Sequence, residues 1–268
     1  MPSFKTEVIG YDQRAEFYHL EQDGKHDFEF YQRQACQHRG PGLVIPCGAG
    51  RLLGALGNLN NIVYADLEPQ MIEQVRRHLD QRGKAISDAQ IINLLSIEFS
   101  PEQKFEMIVI PAEAIQMFSE NDVCCILQNL ATLLSPTGCI LVDIAHFRST
   151  PQTSAEAPSY YDKTQNGKQW LSWERKNGDS IISRYVTHQE QHYFIDFTFD
   201  YVIRRANEVT NHQAKLKLWR HSEETIRIAC LSASLEITET FNSYSERETS
   251  EPQRTIVKLS QKAVPKSA

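Results

Sequence analysis

Between Leu43 and Ile144 the chain repeats one pattern: a short continuous apolar run, a turn, then a stretch of helical spacing. Strands that are apolar on both faces have to be covered on both faces, so this pattern demands a mostly parallel sheet layered between helices. The apolar runs are Leu43 to Ile45, Ile62 to Ala65, a weaker Gln90 to Leu94, Phe105 to Ile110, and Cys139 to Ile144. The spacing predicts helices at Arg51 to Leu56, at Gln70 to Gln81 behind Pro69, and at Asp122 to Leu134. In the second of these, Met71, Val75 and Leu79 share one face. Upstream, Tyr11 to His38 has helical spacing in two stretches broken near Gly24, and Gly40-Pro41-Gly42 stops it.

At about Phe147 the period changes. Ser149 to Ser159 has loop composition, and beyond it the period is two: Tyr193, Ile195, Phe197, Phe199, Tyr201 and Ile203 alternate with polar residues. Such alternation marks a half-buried antiparallel strand. Lys168 to Arg175, Ser180 to Gln189 and His212 to Trp219 read as its partners. A helix at Glu223 to Ser232 and strands at Leu235 to Phe241 and Thr255 to Leu259 then return to the first scheme. The expected division is therefore a helical segment and sheet core over 1–146, an antiparallel insert over 147–220, and a return to the core over 221–268.

Composition narrows the partners. Hydrophobic residues make up 41% and charged residues 23%, the balance of a folded globular chain. With 28 Lys and Arg against 34 Asp and Glu the net charge is −6, which disfavours a dedicated nucleic-acid binder. No apolar run is long enough to span a bilayer, and the first residues lack the apolar core of a secretory signal, so a cytoplasmic protein is expected. The six cysteines have no CxxC pair and no metal-ligand spacing; they read as small core residues, and no metal is expected.

The chemistry is expected where the first strand ends. Pro46-Cys47-Gly48-Ala49-Gly50 passes from strand to helix, and glycines at such a junction let a ligand approach the backbone near a helix N-terminus. Asp66 closes the next strand, where a carboxylate can accept both hydroxyls of a ribose. The competing account makes the glycines a plain turn and Asp66 a helix cap.

Four segments in order resemble successive motifs of the class I S-adenosylmethionine-dependent methyltransferases. They are Leu43 to Arg51, Tyr64 to Met71, Phe105 to Pro111, and Leu134 to Asp143. The resemblance covers about Tyr11 to His146 and more loosely the last helix and strands. It implies a Rossmann-like seven-stranded sheet with an antiparallel β lid inserted after the fifth strand. It also implies S-adenosylmethionine as cofactor and S-adenosylhomocysteine as product. The implied cofactor residues are Gly48 and Gly50 under the methionine part, with Pro46, Cys47 and Ala49 of the same loop also at the cofactor, Asp66 on the ribose, and Leu67 and Met71 at the adenine. Pro111 follows the fourth strand, and Tyr11 and Tyr18 lie in the segment that folds over the cofactor in this family. The sequence departs from the family pattern at Pro46, in place of the first glycine, and at Val44, where an acidic residue is usual. Leu95, beside Ser96, stands where an acidic residue commonly meets the adenine amine.

Methyl transfer to nitrogen or oxygen asks the protein to align an acceptor and, for a protonated acceptor, to offer a base. Residues just after the strands are the candidates. His146 follows the fifth strand and has a pKa near neutral, which suits a base; a structural histidine is the alternative. Glu113 and Gln116 follow the fourth strand and can orient an acceptor amine or the cofactor amino group, or simply cap the surface. His188 and His192 sit at a turn of the insert. Trp173 and Tyr201 are the insert's candidates for lining an acceptor pocket, although most aromatic residues there form its own core. The insert is expected to control acceptor entry and not cofactor binding. The expected activity is methyl transfer to a small molecule of the kind made in secondary metabolism, with no nucleic acid or membrane as partner. A macromolecular (protein or RNA) methyltransferase and a non-catalytic cofactor-binding relative remain the rival readings.

Overall fold

The computed structural model describes residues 6–8, 14, 17–18, 20–21, 26–57, 59–83, 88–98, 100–148, 156–206, 208–245 and 252–262. Two sheets organise them. The larger has seven strands: β2 (Pro41–Val44), β3 (Asn60–Asp66), β4 (Ala89–Ile91), β5 (Phe105–Ile110), β6 (Leu134–Ala145), β11 (Leu235–Phe241) and β12 (Arg254–Gln261), in the order β11-β12-β6-β5-β2-β3-β4. β12 pairs antiparallel with both of its neighbours, while β2 to β6 pair parallel. Strand order reverses between β2 and β5, which opens a crevice beyond the carboxyl ends of the strands.

Alternation along each central strand builds a separate core on each face of this sheet. Leu43, Ile45, Ile108, Ile110, Ile140 and Val142 face one side, against helices α3 (Glu120–Leu133) and α4 (Glu223–Ser232). Val44, Met107, Val109 and Leu141 face the other, against α1 (Phe28–Ala35) and α2 (Pro69–Gln81). The helices start where the sequence places their caps. Ser119 and Ser222 each close a capping box, and Pro69 opens α2, whose Met71, Ile72, Val75 and Leu79 are buried.

The second sheet is the insert. β7 (Trp170–Asn177), β8 (Ser180–Glu190), β9 (Phe194–Arg205) and β10 (Glu208–Trp219) form an antiparallel meander. The stripe Ile195, Phe197, Phe199 and Tyr201 is fully buried in its core. Tyr193, expected at the head of that stripe, lies before β9 and is 67% exposed. A fifth strand, β1 (Thr6–Val8), joins this sheet parallel to β10, a pairing the sequence reading lacks because three residues carry no period.

Three local expectations change. Arg51 to Leu56 forms a chain of turns and not a helix: Leu53, Ala55 and Leu59 each bond the third residue back. Gly54 takes a left-handed φ of 92°, which breaks any helix running through it. Ser135 to Gly138, read as a turn, bulges out within β6, whose Leu134 and Cys139 pair with Phe105 and Met107. Cys47, Cys139 and Cys230 are buried as expected, but Cys36 and Cys125 are exposed. Among the described residues no helix is long and apolar enough to cross a membrane.

Candidate active site

The loop after β2 is held by the residue that closes β3. Gly48 N–H donates to Asp66 Oδ2 at 2.8 Å and Glu68 N–H to Asp66 Oδ1 at 3.1 Å, while Cys47 N–H donates to the Ala65 carbonyl at 2.8 Å. Burial pushes the Asp66 carboxyl up from its ordinary pKa, and the backbone N–H groups of Glu68, Gly48 and Leu67 oppose that shift. Gly48 and Gly50 both have left-handed backbones, at φ 53° and 87°. A Cβ on Gly48 would lie 2.7 Å from Tyr18 Cε1, so the Tyr18 ring covers the loop where a side chain would stand. A Cβ on Gly50 would lie 2.5 Å from Leu53 Cδ1 and 3.2 Å from Val75 Cγ2. The absent side chain at Gly50 therefore lets the loop pack closely on Leu53 and on Val75 of α2.

Two adjoining cavities flank Asp66. The first, about 60 Å³, is lined by Tyr18, Pro46, Cys47, Gly48, Asp66, Pro111 and Glu113, with Arg14, Arg51 and Tyr160. The second, about 450 Å³, shares Pro46 and Asp66 with the first. Its mainly apolar walls include Leu67, Ile92, Leu94, Leu95, Phe118 and Leu216. A buried carboxylate at the junction of a loop cavity and an apolar slot fits a nucleoside. Both Asp66 oxygens keep lone pairs for ribose hydroxyls, and a purine ring suits the slot. Asn93, just past β4, also lines the slot, with its Oδ1 accepting from Leu95 N–H at 2.9 Å. It is an uncharged polar residue of the slot, whereas Leu95 offers only apolar wall. Leu216, Lys215 and Lys217 of β10 reach the same slot, so the insert borders the apolar cavity as well as the opposite end of the cleft.

Adjoining the loop cavity through Arg14, Arg51, Ala112, Glu113 and Tyr160 is a third cavity of about 210 Å³ with a different lining. Arg14, Arg51, Arg184 and Arg254 surround it with Glu21, Glu113, His26, Tyr160 and Tyr244. Glu113 lines both this cavity and the loop cavity. Ala112 and Glu113 hold left-handed φ values of 53° and 54°, costly for residues with a Cβ and typical of functional turns. The turn is fixed by Ala112 N–H donating to Asp143 Oδ2 at 3.1 Å, and Tyr160 Oη–H donates to Glu113 Oε1 at 2.6 Å. Burial drives the Glu113 pKa up; Arg254 opposes it, and Asp143 adds to it. Arg254 is itself committed to Asp143, with Nη1 at 2.8 and 2.7 Å from the two oxygens and 3.7 Å from Glu113 Oε2.

Several expected site residues stand elsewhere. Ala49 and Met71 pack on each other, with Met71 fully buried away from the apolar slot. Ser96 closes a turn on the Asn93 carbonyl and lines neither of the two cavities beside Asp66. Gln116 is a clamp. Its Nε2 donates to the carbonyls of Ala145 and Trp219, and its Oε1 accepts from Ala145 N–H at 2.7 Å. Tyr201 stacks on Phe17 at 4.5 Å and donates to Glu21, inside the insert's core. Trp173 lies under the guanidinium groups of Arg175 and Arg184. His146 does not face the cleft: its Nε2 is 2.8 Å from Thr255 Oγ1, and it lines a separate cavity of about 630 Å³ with Arg148, Arg220 and His221. Burial, aided by Arg148 and Arg254, lowers its pKa to about 4. His188 is fully buried against Tyr161 and Phe197. Tyr11 lies outside the described residues. Among the described residues, no group of three or more His, Cys, Asp or Glu is placed to hold a metal ion.

Sequence reasoning missed the four arginines, Tyr160, Asn93 and Leu216. Arg51, directly after Gly50, was the one with a local signal; the rest reach the site from distant segments.

The comparisons with known proteins bear on the domain and the fold. Residues 43–138, from β2 to the bulge in β6, match a family model described as a methyltransferase domain. No curated protein matches the chain. Among solved structures, an S-adenosylmethionine-dependent methyltransferase from Clostridium acetobutylicum superposes with a TM-score of 0.73 at 13% identity, covering 94% of this chain and 99% of that one. A sugar N-methyltransferase from Streptoalloteichus gives 0.71 at 14% identity over 98% of both chains. An amino pentose methyltransferase from Micromonospora echinaspora, solved with S-adenosylmethionine bound, gives 0.65 at 13% identity, covering 92% and 95%. At these identities the structural likeness is one of fold, and the matched domain carries the activity. With the glycine loop tied to Asp66 at the crevice of the sheet, the chain carries a methyltransferase domain over residues 43–138 and has the fold of S-adenosylmethionine-dependent methyltransferases.

Proposed function

We propose that the protein methylates a nitrogen or oxygen of a small molecule held between the sheet core and the insert, with Glu113 as the group that orients the acceptor and takes its proton. The observation that carries this reading is the position of Glu113 on the shared wall of the loop cavity and the charged cavity. Asp66 would hold the ribose, the slot of Leu67, Leu94, Leu95 and Leu216 the adenine, and the Gly48 loop under Tyr18 the methionine part. When bound, the cofactor supplies an electrophilic methyl group on a sulfonium. What remains for the chain is alignment and proton management. The turn at Ala112 and Glu113 fixes the carboxyl, Tyr160 fixes one of its oxygens, and burial brings its pKa toward the range where a base works near neutral pH. A pocket of about 210 Å³ with buried walls suits a small acceptor and not a polymer. The resemblance to enzymes such as the sugar N-methyltransferase above supports the same scale of acceptor. Calorimetry with S-adenosylhomocysteine, followed by transfer of labelled methyl to a panel of small amines and alcohols, tests the reading. Cofactor binding without transfer to any of them would return the non-catalytic alternative.

A further inference from the structure

The cleft beside Asp66 is laid across three neighbouring strands. The glycine loop follows β2, Asp66 closes β3, and Asn93 stands just past β4; the three strands lie side by side in that order. Neighbouring strands are about 4.8 Å apart. A ligand with its sugar at Asp66 and its methionine part toward β2 therefore carries its base one strand further on, at the end of β4. N1 and the 6-amine lie at the end of adenine away from the sugar, which is the end that reaches Asn93.

The loop holds Asn93 in one orientation. Ile92 N–H donates to the Asp66 carbonyl at 3.0 Å, and Ser96 N–H donates to the Asn93 carbonyl at 3.2 Å. Asn129 Nδ2 of α3 donates to the Leu94 carbonyl at 3.0 Å. The Asn93 side chain bonds its own loop, with Oδ1 accepting from Leu95 N–H at 2.9 Å. A backbone N–H can only donate, so this bond settles which end of the amide is the oxygen. The end left over is Nδ2, which can only donate. Asn93 is half-buried and lines the slot. Its Nδ2 has no acceptor among the described residues, yet it is not one of their sealed polar atoms, so a ligand can reach it.

Adenine presents an amine that needs an acceptor and ring nitrogens that need a donor. The carboxylates of the slot, Asp66 and Glu68, stand at the end of β3. Past β4 the side chains of Leu94 and Leu95 offer no acceptor, and the carbonyls of Asn93 and Leu94 already receive Ser96 and Asn129. Leu67 and Leu95 are 53% and 41% exposed, so the mouth of the slot is open to water. The donor is thus supplied by the protein, and the acceptor for the amine by solvent.

We propose that Asn93 is a specificity-determining residue for the cofactor: its Nδ2–H reads adenine N1, and the 6-amine is left to water. An acid at this place would take the amine and repel N1, so the sense of recognition is inverted. The proposal rests on the placement of the adenine in the slot.

The test is calorimetry with S-adenosylhomocysteine and three analogues changed only in the base: 1-deaza, 6-desamino and 7-deaza. In the native protein the 1-deaza analogue should bind about tenfold more weakly, the loss of one buried hydrogen bond, and the other two within about threefold. Asn93→Ala should weaken S-adenosylhomocysteine by about tenfold and bring the 1-deaza analogue level with it. Asn93→Asp keeps an oxygen for Leu95 N–H and presents a carboxylate in place of the donor. It should reverse the order, with the 6-desamino analogue becoming the weak one, and it carries the test if Asn93→Ala does not fold. Three results would overturn the proposal. A 6-desamino penalty in the native protein would mean that Glu68 or another acceptor reads the amine. A 7-deaza penalty would mean that a different ring nitrogen is read. A 1-deaza penalty that persists in Asn93→Ala would give N1 to another donor, such as Lys215 or Lys217 on the β10 wall. Failure of S-adenosylhomocysteine itself to bind the native protein would instead remove the reading of the slot beneath the proposal.

Discussion

The slot beside Asp66 and the cavity beyond Glu113 both adjoin the cavity at the glycine loop, yet their walls have little in common. The slot is mainly apolar, with Leu67, Ile92, Leu94, Leu95, Phe118 and Leu216, and its charged groups, Asp66, Glu68, Lys215 and Lys217, stand among them. The cavity is made of arginines and glutamates whose guanidinium and carboxyl groups are almost entirely enclosed. Apolar walls give affinity in proportion to the area they bury and tolerate small changes of shape. Buried ions give little net affinity, because desolvation offsets their attraction, but they penalise a mismatched partner heavily. On the function proposed above, the slot is then the place for the constant ligand, and the cavity the place where variable acceptors are told apart.

That contrast can be broken at four points. The largest effect is expected from Glu113→Gln. Turnover should fall by about 10² to 10⁴, the range for a positioned base, while S-adenosylhomocysteine affinity stays within about threefold. A matching loss of affinity would merge the two cavities into one site. Next is Asp66→Ala, which removes a charge-assisted acceptor worth roughly 1.5–3 kcal/mol and should weaken S-adenosylhomocysteine binding by about ten- to a hundredfold in calorimetry. Because Asp66 also ties Gly48 and Glu68, Asp66→Asn, which keeps one acceptor oxygen, should fall between the variant and the native protein.

A smaller effect is expected from Leu216→Ala in β10. At about 25 cal/mol per Å² over a few tens of Å², the loss is about two- to fivefold in cofactor affinity. No change would return the insert to a role confined to the acceptor. The smallest effect on rate is expected from His146→Asn, since His146 faces its own cavity: turnover should stay within about twofold. Its signature is in stability. The folded pKa of about 4 lies below the unfolded value of 6.5, so the unfolded chain binds more protons between them. The stability His146 contributes is therefore full above pH 6.5 and lost as pH falls toward 4. Chemical denaturation across that window should show a shallower decline in His146→Asn than in the native chain. An unaltered slope, or a large loss of turnover, would put the histidine back among the candidates for the base.

The same contrast decides what could be read from the sequence. The cofactor end is local: β2, the loop and Asp66 come from one stretch of chain, and each signal (apolar run, glycines, terminal acid) is a backbone requirement written in a few residues. The period-two stripe from Ile195 to Tyr201 was equally legible, because alternation alone decides which face is buried. The charged cavity is assembled from residues 14, 21, 51, 113, 184 and 254, and nothing local distinguishes Arg184 in β8 from Arg204 on the same sheet's exposed side. His146 illustrates the converse error. It stands after a strand, as a catalytic residue would, but β12 runs beside it and Thr255 takes its ring to the other side of the strand end. Gln116 looked like a free polar group and is spent on three backbone bonds.

The five-stranded sheet gives the cleft a shared roof. β10 lies over the apolar slot through Leu216, and β8, two strands away in the same hydrogen-bonded sheet, faces the charged cavity through Arg184. Gln116 bolts the end of β10 to the core through the Trp219 carbonyl. A plate hinged in this way cannot lift over one ligand without loosening its hold on the other. Exchange of acceptor and exchange of cofactor should then be kinetically linked, with the tighter ligand setting the pace at which the weaker one turns over.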